Sequence, residues 1–577
     1  MANSLKKRGQ KLVRNFSRAT IRAGEKSTER IRKNLIERLS HIRSVRLLVF
    51  EWSLLVGALI LLALTQAFWF GDSYAEDVYI EGGTYTEATI GEVNSLNPLF
   101  ATTNSEKTLS KLMFATLSTI DYSGHPGNQL AESIRTEDGQ TWTMKLREGL
   151  KWSDGEPLTN EDVIFTVELI KNPNVNTSYS SNLANVKVSV NENDEIVFKL
   201  PSVYADFISA LNIPIVPKHI LGETDPQKLL ENNFSNAPIT SGAFAFNATQ
   251  SMNGEDEKII YLSANTNYYL GRPLIDSFAI HTYSDNNSLI NAVNSGAVTA
   301  TAELSEKDAE KVTASQFNKK SSSLKSGAFI FFNTTHKAVS SSEMRAAIRQ
   351  GINLTKIREL VPEVTALDYP ILDSQLSIDD RPNLASYDLQ SAKNKIAELL
   401  GGEAGHLDIA TVNSGYLPEV TNAISEDLKA LGFETNVTVY EENQEFINNV
   451  VSKRSYDILV YEIELGADLD LLPYYHSSQA SGAGLNLSNY KNALVDDLLL
   501  GARGTLDTNL RAKKYETFLE YWANDVPTIG LYQSNLTYFY NKNVRCFGND
   551  VRLVTAIDRF SDVTNWAVNK TTKNKTP

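Results

Sequence analysis

The spacing of apolar and polar residues changes character several times along this chain, and each change predicts an element. Trp142, Met144 and Leu146 alternate with Thr143, Lys145 and Arg147, the period of a half-buried strand. Ser153-Asp154-Gly155 then signals a turn, and Pro157 blocks further strand. Thr159 is a helix N-cap with Asn160, Glu161 and Asp162 behind it, acids placed where the helix dipole favours them. Val163, Phe165, Val167 and Ile170 supply the apolar faces of that helix. Residues 186–190 and 196–200, separated by NENDE, read as a hairpin. Residues 326–333 (SGAFIFFN), 437–440 and 456–465 read as strands, residues 289–296, 387–400, 424–432 and 515–522 as helices, and residues 526–531 as a return strand. Strands alternating with helices predict α/β layers.

One stretch breaks this pattern. Residues 52–70 read WSLLVGALILLALTQAFWF, roughly the twenty apolar residues that cross a bilayer, with Trp52, Trp69 and Phe70 at the ends where interfacial aromatics belong. The first 46 residues hold fourteen Lys/Arg against three Asp/Glu, a net of +11, and the rest of the chain holds 41 against 66, a net of −25. Arg43 and Arg46 precede the apolar stretch and Asp72, Glu76 and Asp77 follow it. The positive-inside bias therefore predicts a cytoplasmic N-terminus, a transmembrane helix at residues 47–70 and everything after about residue 71 outside. The alternative is a signal peptide cut after Ser73-Tyr74-Ala75, for which a 46-residue leading region is long. A basic helix at residues 27–46 carries Ile31, Leu35, Leu39 and Ile42 at helical spacing. It reads as a topology signal or a contact for anionic lipid, not as a nucleic-acid partner.

Composition narrows the chemistry. Cys546 is the single cysteine among 577 residues, so neither an internal disulfide nor a cysteine metal site is expected. The seven histidines lack HxxxH or HxH spacing. No G-x-S-x-G elbow, HExxH helix or Cys/His pair is present, and Ser322-x-x-Lys325 lies in a Ser-rich connector. The expectation is a protein that is no enzyme and has no cofactor.

The stretch Leu146-Arg147, Gly149, Trp152, Asp154-Gly155, Pro157, Thr159, Asp162-Val163 resembles the "LR-x-G-x-x-(W/F)-x-DG-x-P-x-(T/N)-x-x-DV" signature of the family 5 extracytoplasmic solute-binding proteins of ABC importers. Leu130-Ala131-Glu132-Ser133, the IVPKH of residues 215–219, Asn267-Tyr268-Tyr269 with Gly271-Arg272-Pro273, and Met344-Arg345-Ala346-Ala347-Ile348 extend the resemblance from about residue 80 to 547. It implies a two-lobed α/β periplasmic-binding-protein-like fold, type II, cluster C, with an extra subdomain, here preceded by one transmembrane helix. The expected layout is lobe 1 at residues 77–325 with a subdomain at about 120–204, lobe 2 at 326–520, a return to lobe 1 at 521–566 and a disordered tail at 567–577.

Ligands of such sheets gather beyond strand carboxyl ends. In residues 457–465 (DILVYEIEL), Ile458, Val460, Glu462 and Glu464 share one face, and Asp468 and Asp470 follow. In peptide-binding relatives this region usually reads "GW-x-x-D-Y-x-DP", and an acid there pairs with a peptide's α-ammonium. The resemblance implies that role for Glu464 or Asp468, although the Trp and the final Pro are missing. Tyr85, Thr86, Glu87 and Asn486 fall where relatives line the same pocket. A calcium loop lacks its Gly and distal Glu. The implied function is a membrane-anchored receptor that captures peptides between closing lobes and delivers them to an ABC permease. A solute sensor signalling through the N-terminal segment, or a receptor for a nickel chelate or sugar, is the alternative.

Overall fold

The computed structural model describes residues 46–574, apart from residues 122, 176, 184, 253–256, 305, 402–404, 442–443, 483 and 549–550. The basic helix expected at residues 27–46 lies outside the described residues, save its last. The chain forms two units, residues 1–78 with 571–577, and Tyr79–Lys570.

In the first unit, Arg46–Tyr74 is a single helix of 29 residues, about 43 Å long at the usual rise. Its described side chains, residues 50–66, are exposed throughout. Among the described residues no helix is long and apolar enough to cross a membrane. At the other end of the sequence Asn569–Asn574 is a strand, which corrects the expectation of a disordered tail as far as residue 574. Main-chain hydrogen bonds make a strand without apolar side chains, and the two threonines in NKTTKN favour extended backbone.

The second unit is organised by one large sheet. Ten of its eleven strands are β1 (Thr84–Ile90), β2 (Phe244–Ser251), β3 (Lys258–Ala264), β4 (Ser277–Tyr283), β5 (Ala300–Thr301), β6 (Phe317–Phe332), β7 (Gly405–Val412), β8 (Phe433–Tyr440), β9 (Ile458–Glu464) and β10 (Thr528–Asn541), in the order β8-β7-β9-β6-β10-β5-β1-β4-β3-β2, and the short eleventh, Thr365–Ala366, pairs with β10 off this path. The end of the sheet containing β1 packs into a core around Tyr85, Phe278 and Trp566, with a smaller one beside it around Leu289 and Val293. The end containing β7, β8 and β9 packs into a separate core around Phe329, Ile424 and Val460, with a satellite around Phe518 and Trp522. These are two lobes.

The motif-bearing stretch forms a separate four-stranded sheet in lobe 1, ordered Ala131–Thr136, Thr141–Leu146, Ile196–Lys199, Lys187–Val190. Trp142 and Met144 face inward as the alternation predicts. The helix Asn160–Lys171 begins at Thr159 with a capping box closed by Asp162, whose Oδ2 accepts the Thr159 N–H at 2.9 Å. Its Oδ1 accepts the Lys218 N–H at 2.8 Å. One acid therefore starts the helix and ties it to the 215–219 segment.

Among the described strands, only β6 and β10 run through both lobes. Phe317–Ser323 pair with Asn541–Asn535, the register then slips, and Gly327–Phe331 pair with Gln533–Thr528. A bulge bends a strand and raises its twist, so residues 324–326 mark a hinge. The crossover back to lobe 1 thus falls inside a strand near residue 534 and not at residue 521: Trp522, Ile529 and Tyr532 all belong to lobe 2 cores. Apolar faces continue unbroken through β10, so the composition carries no mark of the boundary.

Candidate functional site

Two cavities flank the hinge strands. The larger, about 670 Å³, is lined by Ser321–Ser323, Lys325, residues 365–369 and 371–374, Arg381, Gln533 and residues 551–553. The smaller, about 330 Å³, lies between lobes: Asn104, Glu303 and Ala556 line it from lobe 1, Tyr416, Glu462 and Tyr532 from lobe 2, and Ser534 from the hinge. Glu303 is partly exposed to this cavity yet surrounded by protein. Burial pushes its carboxyl up to about 7, opposed by Arg559 and a hydrogen bond from Asn104.

Lys325, 4% exposed, lies in the bulge itself. Its Nζ donates to the Gly124 carbonyl at 2.8 Å and to the Ala467 carbonyl at 2.7 Å, one in each lobe. Burial lowers its pKa, while Asp468 works the other way. Nearby the lobes meet directly. The Ala205 N–H donates to the Arg503 carbonyl at 2.9 Å, and the Arg503 guanidinium lies 4.2 Å from the Tyr204 ring centroid. Asp206 is buried against this seam, and burial, reinforced by Asp468, pushes its carboxyl up to about 8.

The acids expected from the sequence separate into two groups. Glu462 and Glu464 share the exposed face of β9, and Glu462 Oε1 accepts the Ser326 hydroxyl at 3.0 Å. Asp468 is paired with Arg511 at 3.1 Å and Asp470 with Arg503 at 2.9 Å, so within the chain both already have cationic partners. Tyr85 and Glu87 point into the lobe 1 core. Glu87 is fully buried, with Arg559 Nη2 at 2.6 Å and the Tyr538 hydroxyl at 2.9 Å. The Tyr85 and Tyr538 hydroxyls are 2.6 Å apart. The Thr86 carbonyl accepts the Thr299 N–H at 2.8 Å, and the Thr86 N–H donates to the Thr299 hydroxyl oxygen at 3.1 Å. Asn486 is fully buried and its Nδ2 donates to the Tyr490 carbonyl at 2.8 Å.

Glu303, Asn104, Ser534 and Lys325 escape a reading by periodicity. Glu303 follows the two-residue strand β5, too short to show a period. The rule that ligands gather beyond strand carboxyl ends, applied to β5 as it is to β9, points to it.

A family model described as bacterial extracellular solute-binding proteins, family 5 middle, matches residues 125–484. The oligopeptide-binding protein AppA of Bacillus subtilis (strain 168) is 26% identical over 485 residues, covering 79% of this chain and 87% of that protein. Among solved structures, B. subtilis AppA in complex with a nonapeptide superposes with a TM-score of 0.71 at 24% identity, over 85% of this chain and 99% of that one. NikZ from Campylobacter jejuni in complex with Ni(L-His) gives 0.70 at 20% identity, over 84% and 99%. With its signature in the lobe 1 sheet, two lobes hinged on β6 and β10 and this match across most of its length, the chain belongs to the family 5 bacterial extracellular solute-binding proteins.

Proposed function

We propose that this protein is a membrane-anchored substrate-binding protein of an ABC importer, and that it captures peptides between its lobes and hands them to a permease unaltered. The observation that carries this reading is the interlobe cavity, walled by both lobes beside a two-strand hinge. A ligand seated there touches both walls only when the lobes are shut, so it shifts the population toward the closed form. Docking on the permease then reopens the cleft. The peptide-binding names of relatives support the ligand class. Glu464, exposed beyond Glu462 on the same face of β9, is the carboxylate assigned to a peptide's α-ammonium. Asp468 would first have to leave Arg511 to take that role.

Anchoring is assigned to residues 47–70. It is supported by the 29-residue helix and by the exposure of Trp52, Leu54, Leu59, Ile60, Leu62 and Leu64, which water does not favour. The basic N-terminal segment then stays in the cytoplasm and the lobes face outward. Titration of the full chain in detergent with defined peptide pools, followed by mass spectrometry of what is released, tests the reading. Saturable binding with intact peptides recovered supports it. Cleaved peptides, or no binding by any pool, overturn it.

A further inference from the structure

The smaller interlobe cavity carries more information than the presence of a cleft. Its walls bring together Glu303 from the carboxyl end of β5 and Glu462 from β9, acids from opposite lobes. No Lys, Arg or His is among the described residues that line it. Ser534 lies at the register slip of β10, 8% exposed, and its Oγ has no hydrogen-bond partner among the described residues. A buried hydroxyl without a partner is costly unless something else bonds it. A further acceptor, the Asn535 side-chain oxygen, is also buried and unmatched at the same wall. Leu304, Leu324, Val361, Leu417 and Leu536 supply apolar lining to the same cavity. Apolar side chains, unmatched acceptors and two carboxyls in one cavity are the complement of a long side chain with a cationic tip.

We propose that this cavity seats the basic side chain of a bound peptide, a lysine ammonium or arginine guanidinium, between Glu303 and Glu462, with the Ser534 hydroxyl oxygen accepting a hydrogen bond from one of its N–H groups. The proposal rests on the peptide-receptor reading and gives it a charge preference. Because the two carboxyls come from different lobes, a cation between them joins the lobes, and an uncharged side chain of the same length does not. The enclosure that raises the Glu303 pKa also strengthens its attraction for a cation once one enters.

The test uses the full chain in detergent and three pentapeptide series by isothermal titration: penta-alanine, single-lysine peptides with lysine placed at each position in turn, and the same peptides with acetyl-lysine. One charge-assisted contact in an enclosed site corresponds to about tenfold to hundredfold in affinity. The expected result is that at least one lysine position binds tighter than its acetyl-lysine counterpart by about that factor. In Glu303→Gln/Glu462→Gln this preference falls to within about twofold, and a cooperative urea transition certifies the fold of the variant. Equal affinity for lysine and acetyl-lysine at every position overturns the proposal and leaves peptide binding standing, as does an undiminished preference in the double variant. Should the double variant not fold, Ser534→Ala replaces it, with an unchanged lysine preference overturning the proposal. Failure of all three series to bind overturns the receptor reading together with the proposal.

Discussion

Glu87 and Arg559 meet inside lobe 1 with 0% and 2% of their side chains exposed, and replacing Arg559 by Met separates a packing role from a ligand role for Glu87. The guanidinium also donates to the Ala556 carbonyl, so the variant loses a whole network while keeping the apolar stem. Removing one partner of a buried pair costs about 3–5 kcal/mol, because the remaining charge is left uncompensated. Glu87→Gln/Arg559→Met removes both charges and should be less destabilised at pH 7 than Arg559→Met alone by about 1–3 kcal/mol. Hydrogen exchange read by mass spectrometry on β1 and residues 556–565 localises the effect to lobe 1, and urea titration supplies its size. A loss below about 1 kcal/mol, or a double variant as unstable as the single, would refute the reasoning.

Three further outcomes are expected. Asp206, pushed up to about 8 by burial with Asp468 and Asp470 against it and Ser209 and Arg511 in its favour, keeps its proton when folded and loses it when unfolded between about pH 4 and pH 8. Thermal stability should therefore decline as pH rises from 5.5 to 8.5, and Asp206→Asn should decline less; equal slopes exclude the assignment. Glu464→Gln should weaken binding of a peptide with a free N-terminus more than of its acetylated form in calorimetric titration, and equal losses remove Glu464 from the α-ammonium role. Gly530→Ala places a Cβ about 2.2 Å from the Leu367 carbonyl oxygen, a backbone clash expected to cost about 1–3 kcal/mol or more; a urea midpoint matching wild type would contradict the close approach of residue 367 to β10.

Much of the lobe 1 sheet was legible because local chemistry decided it. The alternation at Trp142–Leu146 and the Thr159/Asp162 cap survive in the folded chain because their neighbours, among them Lys218, agree with them. The acidic face of β9 was legible for the same reason. Less legible was which acids are already answered. Arg503 and Arg511 lie more than thirty residues from Asp470 and Asp468, and Arg559 lies 472 residues from Glu87. No local pattern encodes such pairings, since they depend on the sheet order. The hinge was hidden for a related reason: the sequence reads as strand only at 326–333 and 526–531, with Ser322 and Lys325 in a Ser-rich connector, whereas β6 and β10 run on through both lobes and the slip between them is a property of their pairing and of neither strand alone.

The route of β10 sets an order of assembly during biosynthesis. The lobe 2 core is drawn from residues 328–532, whereas the lobe 1 core joins residues 85–300 to residues 536–566. A chain emerging N-terminus first completes lobe 2 while lobe 1 still lacks Tyr538 and Trp566 from its interior and Arg559 opposite Glu87. The portion translated earliest is consequently finished last, and some two hundred residues wait, unfinished and open to holding chaperones or a translocation channel, until the final fifty arrive.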